Sequence, residues 1–147
     1  LVQILDNILN SMSENFGFEH SMVLLLDESG EKLRVVASRG YRESGIGAEV
    51  LVGQGTVGVV AKHKKMMRVS NIGMQRLYLS AVKTSIAGAD APHDQRVKLP
   101  GLENAQSQIA LPLLAKDHLI GVAAQEIGHG LVGLLAQNYL SGISLSL

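Results

Sequence analysis

An unbroken apolar run, Met22-Val23-Leu24-Leu25-Leu26, is followed by Asp27-Glu28-Ser29-Gly30 and then by an alternating stretch over residues 32–38. No other feature restricts the fold as much. The run has the length of a strand and no polar face, so it suits burial on both sides. The next four residues are turn chemistry, with Asp and Ser bonding back to the main chain and Gly allowing the reversal. Leu33, Val35 and Ala37 then fall on one face, and Arg34, Val36 and Ser38 on the other. That is the period of two expected of a strand. Strands joined by so tight a turn pair antiparallel, which argues against a doubly wound parallel sheet.

The remaining elements follow from period and punctuation. Residues 1–15 read as a helix, with Leu1, Ile4, Leu5, Ile8, Leu9 and Met12 making one apolar stripe. Gly17 is placed to end it, and Phe16 and Phe18 are expected to enter the core. Arg39-Gly40-Tyr41 ends the second strand, and residues 42–48 read as a loop or short helix. A short strand at 49–52, a glycine stretch, a helix to about Lys64 and a strand at 66–70 come next. Residues 107–115 and 118–126 read as a final hairpin turning at Lys116-Asp117. After Gly128-His129-Gly130, the pattern Leu131, Leu134, Leu135, Asn138, Tyr139, Gly142 predicts a second amphipathic helix. Residues 71–100 keep no period apart from a weak helical patch at 76–82. An irregular stretch that long inside a compact domain is usually a functional cover or a mobile loop.

Composition removes several function classes. Thirteen basic and thirteen acidic residues give a formal charge of zero, so no global field draws the chain to nucleic acid or an anionic membrane. Neither is expected as a partner. Lys62 to Lys65 lack interleaved aromatics and read as a solvated helix end. There is no cysteine, which excludes disulfides, thiolate metal sites and thioether-linked cofactors and fits a cytoplasmic location. No apolar stretch reaches the roughly 20 residues of a membrane span. The first residue is Leu rather than Met, so a piece of a longer protein is expected.

Gly53-x-Gly55-x-x-Gly58 has the spacing of a dinucleotide fingerprint. That site also needs an acid about 20 residues on, at the end of the next parallel strand. No Asp or Glu occurs between Val50 and Ala89, and the next strand runs into Ser70-Asn71. Arg68 or Arg76 facing a phosphorylated ribose rescues the idea only weakly. The plainer reading is structural. Gly53 and Gly55 turn the chain from strand into helix, Gly58 lets that helix lie close on its neighbours, and Thr56 is an N-cap or first-turn residue.

Taken in order, these segments resemble the GAF domain family. The stretch FGFEHSMVLLLDESGEKLRVVASRGY is similar to the family's first hairpin. EVLVGQGTVGVVAKHKKMMRVSNI resembles its glycine-led helix and following strand, and SQIALPLLAKDHLIGVAAQE its closing hairpin. The resemblance implies an α+β, GAF-like and PAS-related fold: a central antiparallel β-sheet, with terminal helices on one face and a helix/loop roof over a pocket on the other. It implies one domain over 1–147, with an N-terminal helix at 1–15, sheet and roof at 20–126 and a C-terminal helix at 131–145. The link over 126–131 is shorter than usual for the family.

The family's subtypes can be tested by residue. Bilin attachment and the free-methionine-sulfoxide reductases of this fold use cysteine, which is absent. The Asn-Lys-Phe-Asp-Glu signature of cyclic-nucleotide GAF domains is also absent, since that region reads Ala124-Gln125-Glu126-Ile127-Gly128-His129-Gly130. A lone His93 in the roof does not favour haem, His63 reads as a cation at a helix C-terminus and His118 as a turn residue. Met66 and Met67 read as core filling or pocket lining. The resemblance implies a ligand site at Asn71, Met74, Arg76, Tyr78, Ser107 and Gln108. It implies a non-enzymatic sensor of a bacterial-type signalling protein. That sensor is expected to bind an unknown small molecule, form a homodimer through its terminal helices and act on a covalently linked output domain. The alternatives are a dimerisation module without ligand and, remotely, a dinucleotide-binding enzyme.

Overall fold

A computed structural model describes residues 1–70, 101 and 105–128. The elements are α1 (Val2–Phe16), β1 (His20–Leu26), β2 (Lys32–Arg39), β3 (Glu49–Leu51), α2 (Gly55–His63), β4 (Met67–Ser70), β5 (Ser107–Ala115) and β6 (His118–Ile127). The strands form one six-stranded sheet in the order β3-β2-β1-β6-β5-β4. Every pairing in it is antiparallel. The expected α+β class with a central antiparallel sheet is what the chain adopts. The C-terminal helix expected at 131–145 and the patch at 76–82 lie outside the described residues.

The sheet carries a helix on each face. On one side Leu5, Leu9 and Met12 of α1 pack with Val23, Leu25, Val36, Ala37, Leu113 and Ala123. On the other, Val57, Val60 and Ala61 of α2 meet Met22, Leu24, Leu33, Val35, Val122 and Ala124. Side chains alternate along a strand, so β1 divides between the two sides, with Met22 and Leu24 on the α2 face and Val23 on the α1 face. The apolar run of β1 is therefore a buried central strand, as its sequence predicts. Only its last two residues, Leu25 and Leu26, are half-buried, where the strand nears the turn.

Three expectations need correction. Ala37 does not share a face with Leu33 and Val35. The pairing of β1 with β2 shifts between Val23 and Leu24, where Leu24 meets Val35 but Val23 meets Ala37. Val36 is the extra residue of a bulge, and a bulge moves everything beyond it to the other face. The α1 stripe is broader than the buried surface, since Leu9 is buried while Leu1, Ile4 and Ile8 are exposed. Phe16 is also exposed and stacks on the buried Phe18 with ring centroids 5.9 Å apart. Gly17, left-handed at φ 70°, ends α1 between them as expected and sends the two rings different ways. Thr56 lies in the first turn of α2, one of its two expected places, with Gln54 as the N-cap.

The β1–β2 turn is held by one carboxylate. The Ser29 hydroxyl donates to both Asp27 oxygens, at 2.9 and 2.8 Å, and the backbone N–H groups of Glu31 and Lys32 donate to Oδ1 at 3.2 Å. The Ser29 hydroxyl, and after it these backbone donors, hold the Asp27 carboxyl below the usual aspartate range. A folded-state value below the unfolded one means stability that is present above the unfolded pKa and lost as pH falls through the folded one. Asp27→Asn is accordingly expected to melt below wild type above about pH 4, with the gap closing at lower pH. Thermal unfolding of both proteins across that range checks it, and a gap unchanged by pH refutes it.

Candidate functional site

One end of the sheet carries polar side chains on the α2 face. Cross-strand pairing sets Val69 of β4 beside Gln108 of β5, Gln108 beside Glu126 of β6, and Glu126 beside His20 of β1. The strand period decides the face. Ala110, Ala124 and Met22 belong to the α2-side core, so Gln108, Glu126 and His20, each two residues away, point the same way. Tyr41, just past β2, packs on that core and meets the His20 ring edge-on at 5.8 Å.

Glu126 is the outstanding member of this row. It is only 2% exposed, and Gln108 Nε2 donates to its Oε1 at 3.4 Å. Acids are among the residues least often buried, because an ionised carboxylate loses its hydration and must be paid back by hydrogen bonds or charge. A buried carboxylate and a buried carboxamide side by side form a high-stakes polar patch against an otherwise aliphatic face. Such a patch can orient a small molecule by a few polar contacts while apolar neighbours supply area.

Of the expected site residues, Asn71, Met74, Arg76 and Tyr78 lie outside the described residues. Gln108 takes its place in the row. Ser107, its neighbour in the strand, points to the α1 face, where it is fully buried. Consecutive strand residues cannot share a face, so Ser107 and Gln108 do not line one site. Sequence reasoning missed Glu126, His20 and Tyr41. The available signal was an acid at the end of an apolar strand, Gly121-Val122-Ala123-Ala124-Gln125-Glu126. Met67 packs against the α2-side core, whereas Met66 is exposed.

The glycine stretch is a bend with a close contact. Gly53 N–H donates to the Gly58 carbonyl at 2.8 Å, and Gly58 N–H to the Gln54 carbonyl at 3.0 Å. Gly53 and Gly55 have φ of 93° and 60°, a region open mainly to glycine. A Cβ on Gly58 would lie 2.4 Å from the Leu51 carbonyl oxygen. β3 and β4, which flank α2 in sequence, occupy opposite edges of the sheet. A dinucleotide crevice needs neighbouring parallel strands at that point, and this sheet has none there.

The basic end of α2 reads as expected. Lys62 and His63 sit in its last turn, complementing the helix dipole, and Lys64 Nζ donates to the Asp117 carbonyl at 2.9 Å. His118 opens β6 beside the turn. His93 and His129 lie outside the described residues. Among the described residues no three His, Asp or Glu gather as metal ligands, and no helix is long and apolar enough to cross a membrane.

An antiparallel sheet with a helix on each face and a polar patch at one sheet end places the chain in the α+β class. Comparison with known proteins narrows that class. The model of the GAF domain family matches residues 1–124. The chain belongs to the GAF domain family.

Solved structures agree on the fold. The GAF domain of the Acinetobacter phosphoenolpyruvate-protein phosphotransferase is 17% identical with a TM-score of 0.60, over 98% of this chain and 86% of that one. The NLH2 GAF domain of A. aeolicus, in an inactive state, is 18% identical with a TM-score of 0.62, over 96% and 76%. The free methionine-R-sulfoxide reductase of Neisseria meningitidis, in complex with its substrate, is 15% identical with a TM-score of 0.59, over 95% and 77%. No curated protein matches the chain.

Proposed function

We propose that this GAF domain is a non-enzymatic regulatory sensor within a larger signalling protein. It binds a small molecule on the α2 face at the sheet end marked by Gln108, Glu126, His20 and Tyr41. Asn71, Met74, Arg76 and Tyr78, outside the described residues, remain proposed contributors. The observation that carries this reading is the buried Glu126–Gln108 pair at 3.4 Å. An acid buried in an aliphatic fold needs polar partners to offset its lost hydration, and a place so furnished with polar groups suits recognition of a ligand.

Some GAF-fold neighbours are reductases of methionine sulfoxide. This chain has no cysteine, so a thiolate cannot serve as its reductant, and the sensor reading is preferred. The proposed relay is a population shift. Ligand on the α2 face favours one packing of the sheet, and the sheet passes the bias to α1 on its other side. A coupling of about 1–3 kcal/mol is enough.

A second reading rests on α1. Leu1, Ile4 and Ile8 are 76%, 61% and 47% exposed at helical spacing, which suits a homodimer helix whether or not a ligand binds. Native mass spectrometry of protein purified from cells tests both readings at once. The sensor reading expects a retained small molecule, lost in Glu126→Gln. It also expects a stabilising hit in a thermal-shift panel of nucleotides, amino acids and organic acids. A ligand at a hundredfold its Kd adds about 2.7 kcal/mol. A dimer with no bound species and no hit leaves the dimerisation module standing instead.

A further inference from the structure

The opposite face of the sheet carries a polar row of its own. Arg39 of β2 is paired with Ser21 of β1, and Ser21 with Gln125 of β6. Ala37, Val23 and Ala123, two residues away on each strand, pack with α1, so all three polar side chains point to the α1 face. Directly opposed residues have Cβ atoms about 5 Å apart. The row is therefore a contiguous guanidinium, hydroxyl and carboxamide.

Among the described residues no hydrogen bond or ion pair uses these three side chains. Ser21 is 2% exposed and its Oγ has no hydrogen-bond partner. Gln125 is 8% exposed, and its side chain takes part in no hydrogen bond among the described residues. Arg39 is half-buried at the rim and makes no ion pair among the described residues. Leaving a buried polar group unsatisfied costs about 1–3 kcal/mol, and the Ser21 hydroxyl is such a group, flanked in its row by a carboxamide and a guanidinium that can share an occupant with it.

We propose that Arg39, Ser21 and Gln125 form a second binding site, on the α1 face, for a small carboxylate. A carboxylate offers about four lone-pair positions. The Arg39 fork takes two in a bidentate pair, and the Ser21 hydroxyl and the Gln125 amide N–H take the others. A cation at the rim with neutral donors behind it selects an anion over a neutral molecule. Arg39 is the more exposed member of the row, and Ser21 and Gln125 are buried, so the site suits a small carboxylate rather than a large one. The site stands apart from the Glu126–Gln108 patch, because the sheet lies between them.

Acetate is the probe. In the 147-residue chain, sodium acetate is expected to raise the thermal midpoint beyond sodium chloride at equal ionic strength. It is also expected to shift the Arg39 side-chain and Gln125 amide resonances by NMR. Ser21→Ala and Arg39→Gln should each weaken apparent acetate affinity at least about tenfold, as loss of a hydrogen bond to a charged group implies. Ser21→Ala removes a hydroxyl without a partner in the free protein, so its fold should hold or gain. Arg39→Lys keeps the charge, loses the fork and should also lose the response. Glu126→Gln should leave the response intact. Equal effects of acetate and chloride, or a full acetate response in Ser21→Ala or Arg39→Lys, overturn the proposal.

Discussion

Leu24→Ala is expected to lower the unfolding free energy by about 2–5 kcal/mol. Leu24 is completely buried on β1, with Val35 opposite it on one side and Val122 on the other. It belongs to the cluster that joins α2 to the sheet. Removing its isobutyl group forfeits the transfer energy of the lost carbons and leaves a cavity that the strands on either side cannot collapse into. Domains of this size are stable by only about 5–15 kcal/mol, so the variant should lose a large share of its margin. Urea titration measures it, with Ile120→Ala as the control. Ile120 is 46% exposed, and a surface truncation of that kind should cost far less. Equal losses in the two variants would refute the placement of Leu24 at the centre of the core.

The second large effect reverses a general rule. Glycine inside a helix is worse than alanine by about 1 kcal/mol, so Gly58→Ala in α2 would ordinarily stabilise. Here it is expected to destabilise by about 1–3 kcal/mol. The new Cβ would stand 2.4 Å from the Leu51 carbonyl oxygen and 3.0 Å from the Gly53 nitrogen. Both obstacles are main chain, which yields less readily than a side chain. Relief requires α2 to lift from the end of β3, disturbing the packing of Val57, Val60 and Ala61. Comparing Gly58→Ala with Val59→Ala by equilibrium unfolding separates contact from propensity. A stabilised Gly58→Ala would show that the close approach is not real.

Much of the fold was legible because local patterns and global packing agree. The β1–β2 hairpin was written in an apolar run, an Asp-Ser-Gly turn and a period of two. The β5–β6 hairpin, turning at Lys116-Asp117, could be read in the same way. The glycines read as a bend rather than a phosphate cradle because the acid required downstream is missing, and the antiparallel sheet is consistent with that. The failures have physical causes. A bulge adds one residue without changing composition, so nothing in Val35-Val36-Ala37 announced the switch of face. The apolar stripe of α1 gave the helix but not how far round it is buried, since that depends on what faces Ile4 and Ile8. The resemblance points to Ser107 and Gln108 together, whereas strand alternation sets them on opposite faces. Glu126 and His20 are 106 positions apart in the chain and become neighbours only once β6 lies against β1, which neither segment encodes alone.

That arrangement bears on how the domain is assembled during synthesis. β6 is the last described strand to leave the ribosome, yet it occupies the middle of the sheet between β1 and β5. Without it, the inner edges of β1 and β5 have no partner in the described sheet. Joining them means closing a loop across most of the chain, which is entropically expensive and kinetically late. The last strand to be made is thus the one that seals the sheet, and shortening β6 is expected to undo the whole domain rather than fray one edge.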